Sequence, residues 1–339
     1  MANVTRPVIK RFDYRLTIAG VDITSDIRNT PETDLLRISI QDNLEKSDSL
    51  TLDFSDAKNV WKDSWYPTKG NSITISIGFA DLSESWLPES EYQIDEIELS
   101  SWDKVSIRAT ATPIIQSLRT LRTEAYENIP LQGIVERVAA RNGLSIEGEI
   151  KPISFERISQ SRESDLNLLL RLSQEYGHIF KVYSSGKIIF YARSTLETAD
   201  SVFELSALEI DPNRIRLIDS LQGVYNRAEI KYDSGKQGKP LTHLETDETI
   251  ESGELLYLDN RAENLSQAIA IAQEGLRLAN STRVTGDISL EGDARYNAGS
   301  NFDLIDCGKF SGKWHVNDVK HDINKSQGWV SRLSIRKIS

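Results

Sequence analysis

GNSITISIGF at residues 70–79 and EYQIDEIELSSWDKVSIRAT at 91–110 return in outline as GSNFDLI at 299–305 and GKWHVNDVKHDINKSQGWVSRLSIRK at 312–337. Each copy opens on a glycine, Gly70 or Gly299. Each then runs into alternating apolar residues: Ile73, Ile75 and Ile77 in the first, Phe302, Leu304 and Ile305 in the second. Further on, Tyr92, Ile94 and Ile97 match Trp314, Val316 and Val319 at one offset, 222 positions (314 − 92). Strand side chains alternate with a period of two. The parity change between Ile94 and Ile97, made again between Val316 and Val319, therefore predicts a β-bulge at the same place in both copies. One such defect means little. The same defect twice predicts a duplicated β domain, against the competing reading that alternating strands with aromatics resemble each other by chance. The positions singled out as structural are Gly70, Tyr92, Ile94, Ile97, Trp102, Gly299, Trp314, Val316 and Val319.

At 339 residues the chain can hold two or three domains, each with its own core. Its apolar content of 39% and charged content of 27% place it among folded rather than disordered chains. No apolar run approaches the roughly 18 residues of a membrane span, and the polar start from Met1 to Phe12 does not read as a signal peptide. The expectation is synthesis in a cytoplasm, no ordinary secretion and no stable membrane insertion. Cys307 is the only cysteine, which excludes a disulfide framework and multi-cysteine metal sites. A net charge of −11 argues against specific nucleic-acid binding, because that rests on a basic patch over phosphates. It suits a surface that nucleic acid passes without sticking.

In chain order, Phe12 to Ile18, Leu35 to Ile40 and Leu50 to Phe54 alternate as strands. Ala57 to Lys69, with Trp61, Trp65 and Tyr66, reads as a loop or short helix over one end of a barrel. The period changes at Pro113, where Ile114, Ile115, Leu118 and Leu121 fit a short helix. Asn128 to Pro130 then starts a clearer helix with Leu131, Ile134, Val135, Val138 and Ala139, ending at Asn142-Gly143. A short strand is expected from Ile153 to Arg157. Ser164 and Asp165 open a leucine helix, closed by Tyr176 and Gly177, in which Leu166, Leu169, Leu170 and Tyr176 are expected to pack. A hairpin follows, from Ile179 to Tyr191. Residues 203–232 supply further strands, and 234–253 reads as a polar, mobile loop. A helix near 262–279 carries Ala262, Leu265, Ala268, Ile269, Ala272, Leu276 and Ala279 on one stripe. The resulting division is 1–112, a first β domain; 113–200, an α/β insert; and 201–339, a second β domain with that helix.

No residue set demands catalysis. His315 and His321 share a parity that could put them on one strand face, but no third metal ligand is evident. Asp95-Glu96 and Asp247-Glu248 are adjacent carboxylates rather than a pair across a cleft. Nucleophile elbows and phosphate-binding glycine loops are missing from the sequence. Six tryptophans (61, 65, 86, 102, 314 and 329) could stack on sugars, though such residues more often fill cores or anchor interfaces.

The run SRESDLNLLLRLSQEYGHIFKVYSSGKIIFY at 161–191 resembles a segment of the phage late control gene D proteins. YENIPL at 126–131 with Ile134-Val135 and Gly143-Leu144 is similar to that family too, as is WHVNDVKH at 314–321 followed by Gly328. The resemblance extends over roughly residues 70 to 338, and its motifs are structural. It implies a mainly β fold with an α+β insert: two tube-like antiparallel β-barrels per chain plus a small α/β domain. It implies a baseplate hub of a contractile phage tail, or of a tail-like particle such as a bacteriocin, assembled in the bacterial host cytoplasm. In such hubs a homotrimer makes a ring of six barrels. That ring adapts the six-fold tail tube protein above to a trimeric spike protein below, with tape measure and baseplate wedge proteins as further partners. The same architecture forms the base of the type VI secretion spike protein. Here the sequence stops at Ser339 without a fused spike or lysozyme-like module, so separate chains are implied for both. An acidic inner surface for a passing genome or effector is a further expectation. The resemblance implies no catalytic, cofactor-binding or metal residue. A tail-associated cell-wall hydrolase and a carbohydrate-binding tail protein are the competing functions.

Overall fold

The computed structural model describes residues 11–80, 85–111, 115–183, 185–220, 223–232 and 240–338, with the side chain of Glu32 left aside. Pro113, Ile114 and the first part of the expected 234–253 loop lie outside the described residues.

The N-terminal part contains β1 (Phe12–Ile18), β2 (Val21–Asp22), α1 (Thr24–Asn29), β3 (Leu35–Asn43), β4 (Ser49–Ser55), β5 (Ser72–Phe79), β6 (Ser90–Ser101) and β7 (Lys104–Thr110). Their alternation puts Leu16, Ile38, Leu52, Ile73, Ile75 and Ile107 into one core. The turn-rich stretch 57–69 closes an end of that core. Trp61 is buried and stacks on Phe54 with ring centroids 4.1 Å apart.

The middle holds α2 (Gln116–Arg119), β8 (Leu121–Pro130), α3 (Leu131–Asn142), β9 (Ser145–Glu147), β10 (Ser154–Ser164), α4 (Asp165–Glu175), β11 (His178–Tyr183), β12 (Lys187–Ala192) and α5 (Arg193–Thr198). Helix α3 ends at Gly143 in the left-handed region at φ 66°, as its stop signal predicts. Ser164 caps α4 by accepting the Asn167 N–H at 3.2 Å. Two boundaries differ from expectation. Leu121 and 128–130 belong to β8, which pairs with β10 up to Pro130 opposite Ser154. The residue before a proline avoids helical backbone, so Ile129 stays extended and the helix waits until Leu131. In α4 the buried face is Leu168, Leu169 and Leu172. Leu166 sits at the margin, and Leu170 turns toward a cleft against the first part.

The remainder contains β13 (Ser201–Ser206), β14 (Ile215–Asp219), β15 (Tyr225–Tyr232), β16 (Leu241–Thr246), β17 (Glu254–Ala262), α6 (Leu265–Asn280), β18 (Val284–Glu291), β19 (Asn301–Ile305), β20 (Gly312–Asn324) and β21 (Gly328–Lys337). Residues 241–246, expected as loop, are a strand paired antiparallel with β15; as an edge strand β16 can be polar on both faces. Helix α6 exists, but Ala262 belongs to β17 and Leu265 is exposed. Its inward face is Ala268, Ile271, Ala272 and Leu276. These pack with Leu168, Phe155 and Ile230 in the middle core, not with the C-terminal strands. The C-terminal strands have their own core around Phe302, Trp314, Val316, Val319 and Leu333.

The chain is mainly β, and one 13-stranded sheet runs through both ends of it in the order β14-β18-β21-β20-β3-β4-β7-β6-β5-β1-β2, with β13 and β19 off that path. The pairings along that path are antiparallel; β13 joins β19 in parallel. The repeat written in the sequence is present in the pairing. Ile73 lies opposite Tyr92 as Phe302 lies opposite Trp314. A register shift between Ile94 and Glu96 in β6 has its counterpart between Val316 and Asp318 in β20. Gly70, at φ 88°, donates its N–H to Ile94 O at 2.9 Å; Gly299, at φ 87°, donates to Val316 O at 2.8 Å. Only glycine adopts that backbone readily, which is why each copy opens on one.

Candidate assembly interface

The two strand sets meet where β3 pairs with the outer half of β20, from Asn43 opposite Asp318 to Arg37 opposite Asn324. Strand β20 thus has two neighbours on one edge: β19 beside residues 312–315 and β3 beside 318–324. The seam is sealed on both faces. On the apolar side Ile323 and Trp329 of the second set enter the first core, with Trp329 5.2 Å from Phe79 by ring centroids. On the polar side Arg37 donates to Asp322 at 2.5 Å and Arg332 donates to it at 2.7 Å. Burial alone would raise the Asp322 carboxyl. The hydrogen bonds from Arg37 and Ser39 and the charges of Arg37 and Lys320 together outweigh that and hold it below the ordinary value.

Asp42 fastens the same seam from its end. It accepts the Ala298 N–H at 2.7 Å and lies 3.5 Å from Lys181 of the middle part, which also pairs with Asp48 at 2.7 Å. Burial, with Asp48 alongside, pushes the Asp42 carboxyl up to about 6 against the pull of Lys181. A second set of charges clamps the middle part onto the C-terminal strands through α5. Arg193 reaches Glu45 at 2.6 Å and Glu274 at 3.1 Å, while Glu197 binds Arg336. Asn301 donates to Leu196 O and Ala199 O, both at 2.8 Å.

The same elements also carry open edges. Strand β14 is bonded to β18 on one side, and on its other side no strand pairs with it among the described residues. Strand β6 meets β5 only over residues 90–93, so beyond its bulge the edge at 96–101 is bonded to β7 alone among the described residues. Large apolar side chains stand uncovered at both places: Leu99 is 48% exposed, Trp102 86% and Ile218 37%. The charges differ in sign. Glu96 and Glu98 flank the β6 edge, with Arg108 reaching across to both from β7; Arg214 and Arg216 lie at β14.

The residues weighed for chemistry sit elsewhere in the fold. The bulge after Val316 breaks the shared parity of His315 and His321. His315 contacts Asn301 through Nδ1 at 2.7 Å, while His321 Nδ1 accepts from Ser331 at 2.7 Å and from Trp329 at 3.1 Å. Burial pushes these imidazoles down, to about 3 for His315 and about 4 for His321. Of the adjacent carboxylates, Glu96 pairs with Arg108, and Asp247 binds the Thr249 N–H within a turn. Among the tryptophans, 61, 314 and 329 are buried in cores and Trp102 is fully presented to solvent. Among the described residues no group of three or more His, Cys, Asp or Glu could hold a metal ion. A concave surface of about 610 Å³ on the polar side of the seam mixes Lys46, Arg216, Lys320 and Arg332 with Asp287 and Asp318, so it is not uniformly acidic. Of the positions singled out as structural, Tyr92, Ile94, Leu169, Tyr176, Trp314, Val316 and Val319 are buried. Ile97 is partly buried, and Gly177 takes φ 69° after α4.

Sequence reasoning missed Asp165, read only as a helix-start acid. It is buried, pairs with Arg141 at 2.9 Å and accepts from Asn142 and Gln160, both at 2.8 Å, knitting α3, β10 and α4 together. Arg141 and Asn142 stand 23 and more positions away, so no local pattern marks the pairing.

No protein-family model matches the chain. It is 26% identical over 234 residues to a probable baseplate hub protein of Escherichia phage P2, a match that covers 67% of this chain and 58% of that protein. The 43 kDa tail protein of prophage MuSo2 from Shewanella oneidensis shares its fold at a TM-score of 0.70. There, 96% of this chain and 98% of that one superpose at 14% identity. The E. coli c3393 protein, a component of the type VI secretion system, superposes at 0.56 over 96% of this chain and 77% of its own, at 12% identity. The resemblance to phage baseplate hub proteins carried by residues 126–191 and 314–328 is therefore matched by sequence similarity to such a protein and by the fold of a phage tail protein.

Proposed function

We propose that the chain is a structural baseplate hub protein of a contractile phage tail or tail-like particle, without catalytic activity of its own. Three copies form a ring that presents six similar β units to the six-fold tail tube and holds a separate trimeric spike beneath. A trimer with one such unit per chain would meet a six-fold ring at half its positions; two similar units per chain remove the mismatch. The two tube-like units are residues 1–112 and, within 201–339, the strands outside 225–280, since residues 225–280 pack with the α/β part at 113–200. Contacts with tape measure and baseplate wedge proteins belong to the same reading.

One observation carries the reading: the same strand set, with the same bulge, occurs twice and is already joined edge to edge within one chain by β3 and β20. Side-chain-resolution imaging of an assembled particle tests it. The expected result is three copies between tube and spike. The chain found outside that position, or missing from the particle, would refute it.

A further inference from the structure

The β3–β20 seam is one of two equivalent seams, and its equivalent is open within the chain. The pairings fix which residues correspond. Strand β6 maps onto β20 (Tyr92 to Trp314) and β7 onto β21, because Ile107 faces Ile97 as Leu333 faces Val319. Leu52 faces Ile107 as Ile288 faces Leu333, so β4 maps onto β18. Ile38 faces Leu52 as Ile215 faces Ile288, so β3 maps onto β14 at an offset of 177 (215 − 38). On that map Arg37, Ile38 and Asp42 fall on Arg214, Ile215 and Asp219, the same residue each time, and Ile40 falls on Leu217. In one set β3 is covered by the outer half of β20. In the other, β14 lacks a strand on that edge and the outer half of β6 lacks one too, among the described residues.

We infer that β14 of one copy pairs antiparallel with residues 96–99 of the next copy in the register the intramolecular seam prescribes, Glu96 opposite Ser220 and Leu99 opposite Leu217; a second register shift between Leu99 and Ser101, which β20 lacks, ends the correspondence there. This deepens the hub reading above and rests on it. Leu99 would cover Leu217 on the core side. On the polar side Glu98 would stand opposite Ile218 and diagonal to Arg216, within the reach of cross-strand pairs. Asp219 would take the part of Asp42 and accept the N–H of Lys69, the position that corresponds to Ala298 (298 − 69 = 229, the offset of Gly299 from Gly70). Both Asp219 and Lys69 are exposed within a single chain. The edges are complementary rather than identical, so the contact is head to tail and one chain can satisfy one neighbour on each side. Pairing also removes the aggregation hazard of open strand edges.

Cysteine cross-linking tests the register in a Cys307→Ser background. Directly opposed residues in an antiparallel pair stand about 4.5–5.5 Å apart by Cα, within disulfide range. Chains carrying Leu99→Cys mixed with chains carrying Leu217→Cys should give a cross-linked dimer on mild oxidation. The double variant should give a covalent species of three chains. Leu99→Cys with Asp219→Cys, two positions off, should link several-fold less. A trimer that links poorly in register, or equally well out of register, overturns the pairing and leaves the hub ring standing. A chain that stays monomeric overturns both.

Discussion

Asp322 is the polar lock of the seam between the two strand sets, and Asp322→Asn tests that role with little change of shape. The carboxylate receives Arg37 at 2.5 Å and Arg332 at 2.7 Å, while its own side chain is 6% exposed. A unit-charge pair at about 4 Å in an effective dielectric of about 20 is worth about 4 kcal/mol, an upper figure. Both guanidiniums are substantially exposed, at 40% and 54%. Exposed pairs return only about 0–1 kcal/mol each, and a hydrogen bond to a charged group about 1.5–3 kcal/mol. The expected loss is therefore about 2 kcal/mol, read as a shift in the urea midpoint followed by tryptophan fluorescence, since Trp329 crosses the seam. The sign with pH follows from the lowered carboxyl. Its stabilisation is present above the unfolded carboxylate value and is lost as pH falls through the lower folded value. The gap between wild type and Asp322→Asn should thus close in acid. A loss under about 0.5 kcal/mol, the scatter of ordinary surface substitutions, or a gap that persists in acid would refute the reasoning.

Asp42→Asn should act in the opposite sense. A carboxyl raised to about 6 favours the fold while protonated, and that contribution is lost as pH rises through about 6; the variant, neutral throughout, should gain stability over wild type on the order of 1–3 kcal/mol near neutral pH and none below the ordinary carboxylate value, by urea unfolding at several pH values. Asp165→Ala leaves Arg141 without its buried carboxylate and should cost about 3 kcal/mol, checked by thermal unfolding, with Asp165→Asn recovering part of it. Gly70→Ala and Gly299→Ala each force a side chain into left-handed backbone at about 1–2 kcal/mol. Gly299→Ala should be the worse of the two in a urea titration, because its new Cβ would stand 3.1 Å from Leu44 while that of Gly70→Ala meets nothing nearer than 3.9 Å.

Much of the β framework was legible because strands write their burial directly: Ile73, Ile75 and Ile77 alternate, and the parity change after Ile94 and Val316 marks a bulge in each copy. The likeness of 37–43 to 214–220 was not legible. It sits at an offset of 177 rather than 222, since residues 225–280 are inserted between β14 and β18 of the second set, and only the pairing reveals it. The face of α6 was misread because its stripe was drawn through Leu265 and Ile269, whereas the buried side also takes Gln267, whose amide donates to Ser154 O at 2.8 Å. Strand β16 was hidden by polarity, which an edge strand tolerates. The two histidines looked like neighbours because parity was counted straight through the bulge. Long-range charge partners such as Asp165 with Arg141 leave no local trace at all. The edge residues Leu99 and Ile218 read as ordinary strand positions; only strand order shows that no strand among the described residues pairs along their open edges.

One chain contains one closed seam, and the proposal is that its open edges are the two halves of another, through which copies join head to tail in a ring of three. Native mass across a range of concentrations tests this most directly. The account predicts a species of about 115 kDa, three times the 38.2 kDa chain, that splits toward single chains when Leu99→Arg or Leu217→Arg charges the open edges. A chain that remains at 38.2 kDa at every concentration, or a two-fold dimer indifferent to those substitutions, would contradict it.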